Sequence, residues 1–104
     1  MNIYPVEVEN ALIEHPAVLD VAVFGIPNDD MGQEVKAAVE LAPGVDPSPE
    51  LAQELIEFCR ARLARFKAPR SVDFHDALPR TDAGKLLKQK LREPYWSGRA
   101  SYLL

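Results

Sequence analysis

Apolar and polar positions change their spacing along this chain, and each change marks an element. Val8, Ala11 and Leu12 fall at i, i+3 and i+4, the stripe of a helix with one apolar face. Pro5 stands at the start of that helix, where a missing N–H costs nothing. Glu7 and Glu9 lie near the positive end of the helix dipole. His15-Pro16 is expected to end the helix, because a residue before proline is pushed out of the helical region. From Val18 to Ile26 the chain is almost continuously apolar and rich in β-branched residues, the pattern of a largely buried strand. Pro27 to Gly32 has turn chemistry, and Glu34 to Leu41 alternates as a second strand. The two strands are expected to form an antiparallel hairpin with a long loop.

Ala42 to Pro47 breaks the pattern, and Ser48-Pro49 is a credible cap and first position for a new helix. Ala52, Leu55, Ile56, Cys59 and Leu63 follow helical spacing, with Glu54, Glu57, Arg60 and Arg62 mostly outside it. That helix ends before Ala68-Pro69. Ser71 to His75 is a short third strand, and Thr81 is placed to cap a last helix carrying Leu86, Leu87 and Leu91. The tail from Glu93 to Arg99 looks irregular. The order helix-strand-strand-helix-strand-helix predicts one α+β domain over residues 1–104, with a three-stranded sheet packed by about three helices.

Composition narrows the function. The 104 residues are 47% hydrophobic and 27% charged, a globular balance in a chain the size of one domain. The net charge of -4 gives no reason to expect nucleic-acid binding. Lys36 is nevertheless the one basic residue before position 60, so the second half can carry a local positive surface. The single cysteine, Cys59, cannot form an internal disulfide. With two histidines it makes no zinc constellation, and its apolar helical setting reads as buried and inert. No metal ligands are expected. No apolar run reaches membrane-spanning length and no charged-then-apolar leader is present, so a cytoplasmic protein is expected.

Gly84-Lys85 invites comparison with a phosphate-binding P-loop. That loop needs a glycine where Pro79 stands and a serine or threonine where Leu86 stands, so the comparison fails twice. Pro79-Arg80-Thr81-Asp82-Ala83-Gly84-Lys85 is still unusual. It is a polar turn, stiffened by proline and loosened by glycine, that presents a compact cation suited to phosphate or carboxylate.

Leu78-Pro79-Arg80-Thr81-Asp82-Ala83-Gly84-Lys85 resembles the last motif of adenylate-forming enzymes, and Lys85-Leu86-Leu87-Lys88 its acyl-CoA synthetase version. Phe66-Lys67-Ala68-Pro69 resembles the motif before it, and Asn2 to Glu9 the end of the hinge motif. Val21 to Asn28 and Gly32 to Val35 fit the strands between. The tail Tyr95-Trp96-Ser97-Gly98-Arg99 is similar to that of bacterial fatty-acid–CoA ligases. The matches cover almost the whole chain in order.

The resemblance implies the C-terminal mobile domain of a fatty-acid–CoA ligase, with the large N-terminal adenylation domain as its partner. It implies ATP, magnesium, fatty acid and coenzyme A as needs of the full enzyme, and none held by this domain. Lys85 takes the place of the catalytic lysine, with Pro79, Arg80, Thr81 and Gly84 as motif support. Gly25 and Gly32 are candidates to line the thiol tunnel. Lys67 and Arg70, with Arg65, are candidates to contact coenzyme A phosphates. The hinge residue and the glycine turn before Ile3 are missing, so Met1 reads as an introduced start and the fragment alone is expected to be inactive. Peripheral membrane association of the full-length enzyme stays open. Two alternatives also stay open: the lid of a peptide-synthetase adenylation domain, and a free-standing, non-catalytic binding module.

Overall fold

The computed structural model describes residues 2–97; Met1 and the Gly98-Arg99 part of the ligase-like tail lie outside the described residues. The element order is the one the sequence predicts. Helix α1 spans Pro5–Leu12, strands β1 and β2 span Val18–Asn28 and Gly32–Leu41, α2 spans Pro49–Arg60, β3 spans Ser71–His75 and α3 spans Lys88–Trp96. One three-stranded sheet has the order β1-β2-β3. β1 and β2 are antiparallel, and β3 returns through α2 to lie parallel to β2.

Both faces of the sheet are covered, which explains the near-continuous apolar run of β1. Val21, Val23, Val35, Ala37 and Val39 face α1 and α2, meeting Val8, Leu12, Leu55 and Cys59. Ala22, Phe24 and Ala38 face the other way, against Leu78 and Leu91. A register irregularity between Val18 and Asp20 adds one residue to β1. This bulge returns Val18 to the first face and leaves Leu19 exposed.

Several boundaries differ from expectation. α1 stops at Leu12 rather than at His15-Pro16, because the backbone leaves the helix through tighter turns: His15 N–H donates to Leu12 O at 3.0 Å. The hairpin loop is three residues, not long. Pro27 pairs with Gln33 inside the ladder, tolerated because β1 is an edge strand. Asn28 Oδ1 accepts the N–H groups of Asp30 and Met31, both at 2.9 Å, and Gly32 takes φ 82° to close the turn. Ser48 caps α2 as expected, its Oγ accepting from Leu51 N–H at 3.0 Å. Thr81 caps no helix. α3 begins only at Lys88, after Leu86 and Leu87, and it continues through the supposedly irregular Glu93 to Trp96, with Pro94 inside it on the exposed side.

α3 is held to the second sheet face by polar contacts as well as by Leu91. Lys36 is 6% exposed and donates to Asp73 Oδ1 at 2.8 Å. The Tyr95 hydroxyl donates to Asp73 Oδ2, and its ring lies 5.1 Å from the Lys36 ammonium. Trp96 Nε1–H donates to Gly25 O at 2.7 Å. Burial works to raise the Asp73 carboxyl, but hydrogen bonds from Lys36 and Tyr95 outweigh it and hold the group below its ordinary value. Burial, reinforced by that same hydrogen bond, pushes the Tyr95 phenol up to about 12.

Candidate functional site

The segment from Pro79 to Leu87 is a miniature hairpin. Arg80 and Leu86 form an antiparallel bridge, and Leu87 N–H donates to Pro79 O at 2.9 Å. Inside it, Thr81 N–H donates to Lys85 O and Gly84 N–H to Thr81 O, both at 2.8 Å. The Thr81 hydroxyl accepts from Lys85 N–H at 3.0 Å. Gly84 has φ 90°, a conformation other residues adopt only at a cost, which accounts for a glycine just before the lysine. At the root of the hairpin, buried Leu78 packs in the second core and its N–H donates to Glu40 Oε1 at 3.1 Å.

Arg80 ties this turn to the sheet. Its Nε and Nη2 reach Asp20 Oδ2 at 3.0 and 2.6 Å, and its Nη1 reaches Gly84 O at 2.6 Å. Asp20 is itself fixed, its Oδ1 accepting from Val21 N–H at 2.9 Å. Lys85 is exposed at the tip, and no described residue pairs with its ammonium. The arrangement is an ordered turn presenting a lysine whose ammonium has no described partner.

The basic candidates separate. Arg70 lines a cleft of about 320 Å³ with Met31, Arg60, Arg65, Phe66, Ala68 and Pro69. Its backbone N–H is held by Val35 O at 2.8 Å, and its Nη1 lies 3.7 Å from Met31 Sδ. Lys67 does not line that cleft. Its ammonium sits 3.1 Å from Glu7 Oε2 and 4.5 Å from the centroid of the Tyr4 ring. Gly32 ends the hairpin turn in the open, next to Met31. Gly25 is not in a loop but buried within β1. A β-carbon there would come within 2.1 Å of Gln33 Oε1, so a side chain at this position would require Gln33 to swing away.

The Lys85 turn is anchored at Asp20, whereas the arginine cleft lies by the tip of the hairpin past Asn28. Asn28 lies eight residue steps along β1 from Asp20, roughly 26 Å at about 3.3 Å per residue. The domain therefore has two polar surfaces rather than one site. Sequence reasoning missed Asp20, which is 60 residues from Arg80 and falls in an apolar run. It also left Arg60 among solvated helix positions, although the chain turn after α2 brings it beside Arg65 and Arg70.

Burial pushes the Cys59 thiol up to about 11, consistent with an inert core cysteine. Among the described residues, no group of three or more His, Cys, Asp or Glu could hold a metal ion. No helix of the described residues is long and apolar enough to cross a membrane.

The profile of the AMP-binding enzyme C-terminal domain matches residues 7–85, ending on Lys85 itself. The chain belongs to the AMP-binding enzyme C-terminal domain family. One curated relative of this domain is 3-[(3aS,4S,7aS)-7a-methyl-1,5-dioxo-octahydro-1H-inden-4-yl]propanoyl:CoA ligase of Rhodococcus jostii, 48% identical over 93 residues, 88% of this chain and 17% of the relative. Another is long-chain-fatty-acid–CoA ligase FadD13 of Mycobacterium tuberculosis, 44% identical over 94 residues, 90% of this chain and 18% of the relative. The crystal structure of Brucella canis acyl-CoA synthetase superposes with a TM-score of 0.84 at 43% identity, covering 88% of this chain and 17% of that one. The domain thus spans about one sixth of the length of the relatives it matches.

Proposed function

We propose that this domain is the C-terminal lid of an ATP-dependent fatty-acid–CoA ligase and that Lys85 is its catalytic lysine. The observation that carries the reading is the placement of Lys85: a cation with no described partner, its own N–H and carbonyl both bonded within the turn, at the last residue of the family match. Its partner is the large N-terminal domain, which would hold ATP, magnesium and the fatty acid.

In the first half-reaction a carboxylate oxygen attacks the α-phosphorus of ATP. The bond from that phosphorus to the α,β-bridging oxygen breaks, and pyrophosphate departs carrying that oxygen. The attacking and attacked groups are both anions. An ammonium brought between them offsets their repulsion and stabilises the charge that builds on the phosphoryl oxygens. Lys85 has no described counter-ion to surrender before doing so. In the second half-reaction the coenzyme A thiol attacks the acyl carbon and AMP leaves.

The second surface suits the second step. Arg70, Arg65 and Arg60 converge on one cleft, and guanidinium groups bind phosphate as a fork. We assign coenzyme A phosphates to this cleft; Lys67, paired with Glu7, lies outside it. Gly32 would leave room for the pantetheine arm near the hairpin, and Gly25 would do so only with Gln33 swung away. Such a division needs the lid to rotate between the half-reactions. The full-length enzyme would work in the cytoplasm, where ATP and coenzyme A are supplied, and the isolated lid would turn over no ATP.

The test is an assay of the full-length enzyme with fatty acids of graded length. Fatty-acid-dependent pyrophosphate release followed by coenzyme A thioester formation is expected. Acyl transfer to a carrier protein in preference to coenzyme A would replace the coenzyme A assignment.

A further inference from the structure

We propose that Asp20 and Arg80 form a clamp that positions Lys85 for the adenylation half-reaction. The inference rests on Lys85 being the catalytic lysine and names what aims it. A lysine on a four-carbon stem loses much freedom when it is held in one geometry. What the protein can fix in advance is the direction in which the stem leaves the backbone.

The geometry does this at one peptide unit. The Gly84 carbonyl and the Lys85 N–H belong to the same planar peptide bond. The carbonyl is held by Arg80 Nη1 at 2.6 Å, and the N–H by Thr81 Oγ at 3.0 Å. With both ends engaged, rotation of that plane is blocked, and with it the bearing of the Lys85 side chain. Arg80 is fixed in turn, because two of its N–H groups grip Asp20 Oδ2. Asp20 takes its own bearing from Val21 N–H on a strand whose next residues are core. The chain of support runs from the sheet through Asp20 and Arg80 to the 84–85 peptide.

The chemistry of the pair fits this role. The remaining bonds of the turn already close it, so Arg80 is not needed to form the hairpin. Its planar fork can serve a carboxylate on one side and a carbonyl on the other at once, which an ammonium cannot do in that geometry. Asp20 neutralises Arg80, so the cation left in the turn is Lys85, with the exposed Asp82 carboxylate beside it. Neither Asp20 nor Arg80 is assigned any contact with substrate. Both are positioning residues.

The experiment measures the half-reactions separately in the full-length ligase, for Asp20→Ala, Arg80→Lys and Lys85→Ala, and for the double variant Asp20→Ala/Lys85→Ala. Arg80→Lys keeps a charge opposite Asp20 and so preserves the fold if Asp20→Ala does not. Both clamp variants are expected to lower kcat for carboxylate-dependent pyrophosphate release by roughly 10- to 100-fold, the scale of a catalytic group misplaced by about 1 Å. KM for ATP and thioester formation from supplied acyl-adenylate should hold. In the Lys85→Ala background, Asp20→Ala should lower the residual rate no further, because a clamp without its lysine has nothing to aim.

Multiplicative losses in the double variant would overturn the clamp, and so would equal losses in both half-reactions. Unchanged adenylation in both clamp variants, with Lys85→Ala impaired, would sink the clamp and leave the lysine assignment standing. Full adenylation by Lys85→Ala would remove the assignment itself and the clamp with it.

Discussion

Two lysines in this domain are held in opposite ways. Lys36 is buried beneath α3, bonded to Asp73 and roofed by Tyr95. Lys85 stands at the tip of an exposed turn, with its backbone bonded throughout and its ammonium without a described partner. A buried cation survives only with its charge answered, because desolvation is otherwise too costly. A solvated cation needs no answer and remains available to a substrate. The first lysine stabilises the domain and the second is free to act on something outside it. Charge alone would not tell them apart; what decides is where each hydrogen-bond partner comes from.

Variants can break this contrast. Lys36→Ala should be the more costly to the fold, lowering stability by roughly 1–3 kcal/mol in urea unfolding, since Asp73 would lose its strongest partner but regain some water. A loss no larger than that of a surface substitution would mean the Lys36 pair is ornamental. Gly84→Ala should cost about 1–2 kcal/mol, because φ 90° is strained for a residue with a β-carbon. Its adenylation rate should fall as well, through displacement of the turn.

Tyr95→Phe should cost about 1 kcal/mol and should change the shape of the pH profile more than its height. The phenol is raised in the fold, so its contribution is complete below pH 10 and is lost as pH climbs towards about 12. The variant should lack that alkaline decline. Asp73 is lowered in the fold, so its contribution is present above its ordinary value of 3.8 and is lost in stronger acid. Urea midpoints across both ranges would check the two signs. An alkaline decline that persists in Tyr95→Phe would locate its origin elsewhere.

The elements were legible because their patterns are strong. The apolar run of β1, the Ser48-Pro49 start of α2 and the stripe through Leu55 and Cys59 each have one structural solution. Where tertiary contacts overrode local pattern, expectation erred. Pro27 has turn chemistry in the sequence, but on an edge strand it is tolerated within the ladder. The segment from Glu93 looks irregular in sequence, but Tyr95 and Trp96 bind the sheet strongly enough to carry α3 past Pro94. Thr81 resembles a helix cap in sequence. A helix cap and a tight turn use the same bond, a hydroxyl accepting a nearby N–H, so only the fold distinguishes them.

The candidate site was legible in part. Lys85 and its turn stand out as a motif, and Arg70 and Arg65 prove to share one cleft with Arg60. Lys67 is offered with them as a coenzyme A contact, yet it turns towards Glu7 and Tyr4. Asp20 left no trace in the sequence, because its importance comes from a contact made across 60 residues.

The most direct test of the account is Lys85→Ala in the full-length enzyme, with the two half-reactions followed separately and thermal unfolding recorded alongside. Fatty-acid-dependent pyrophosphate release should fall by roughly 10²- to 10³-fold, the scale of losing one preorganised electrostatic donor. Thioester formation from supplied acyl-adenylate and the unfolding temperature should not change. Adenylation that proceeds at the parental rate would contradict the assignment of Lys85.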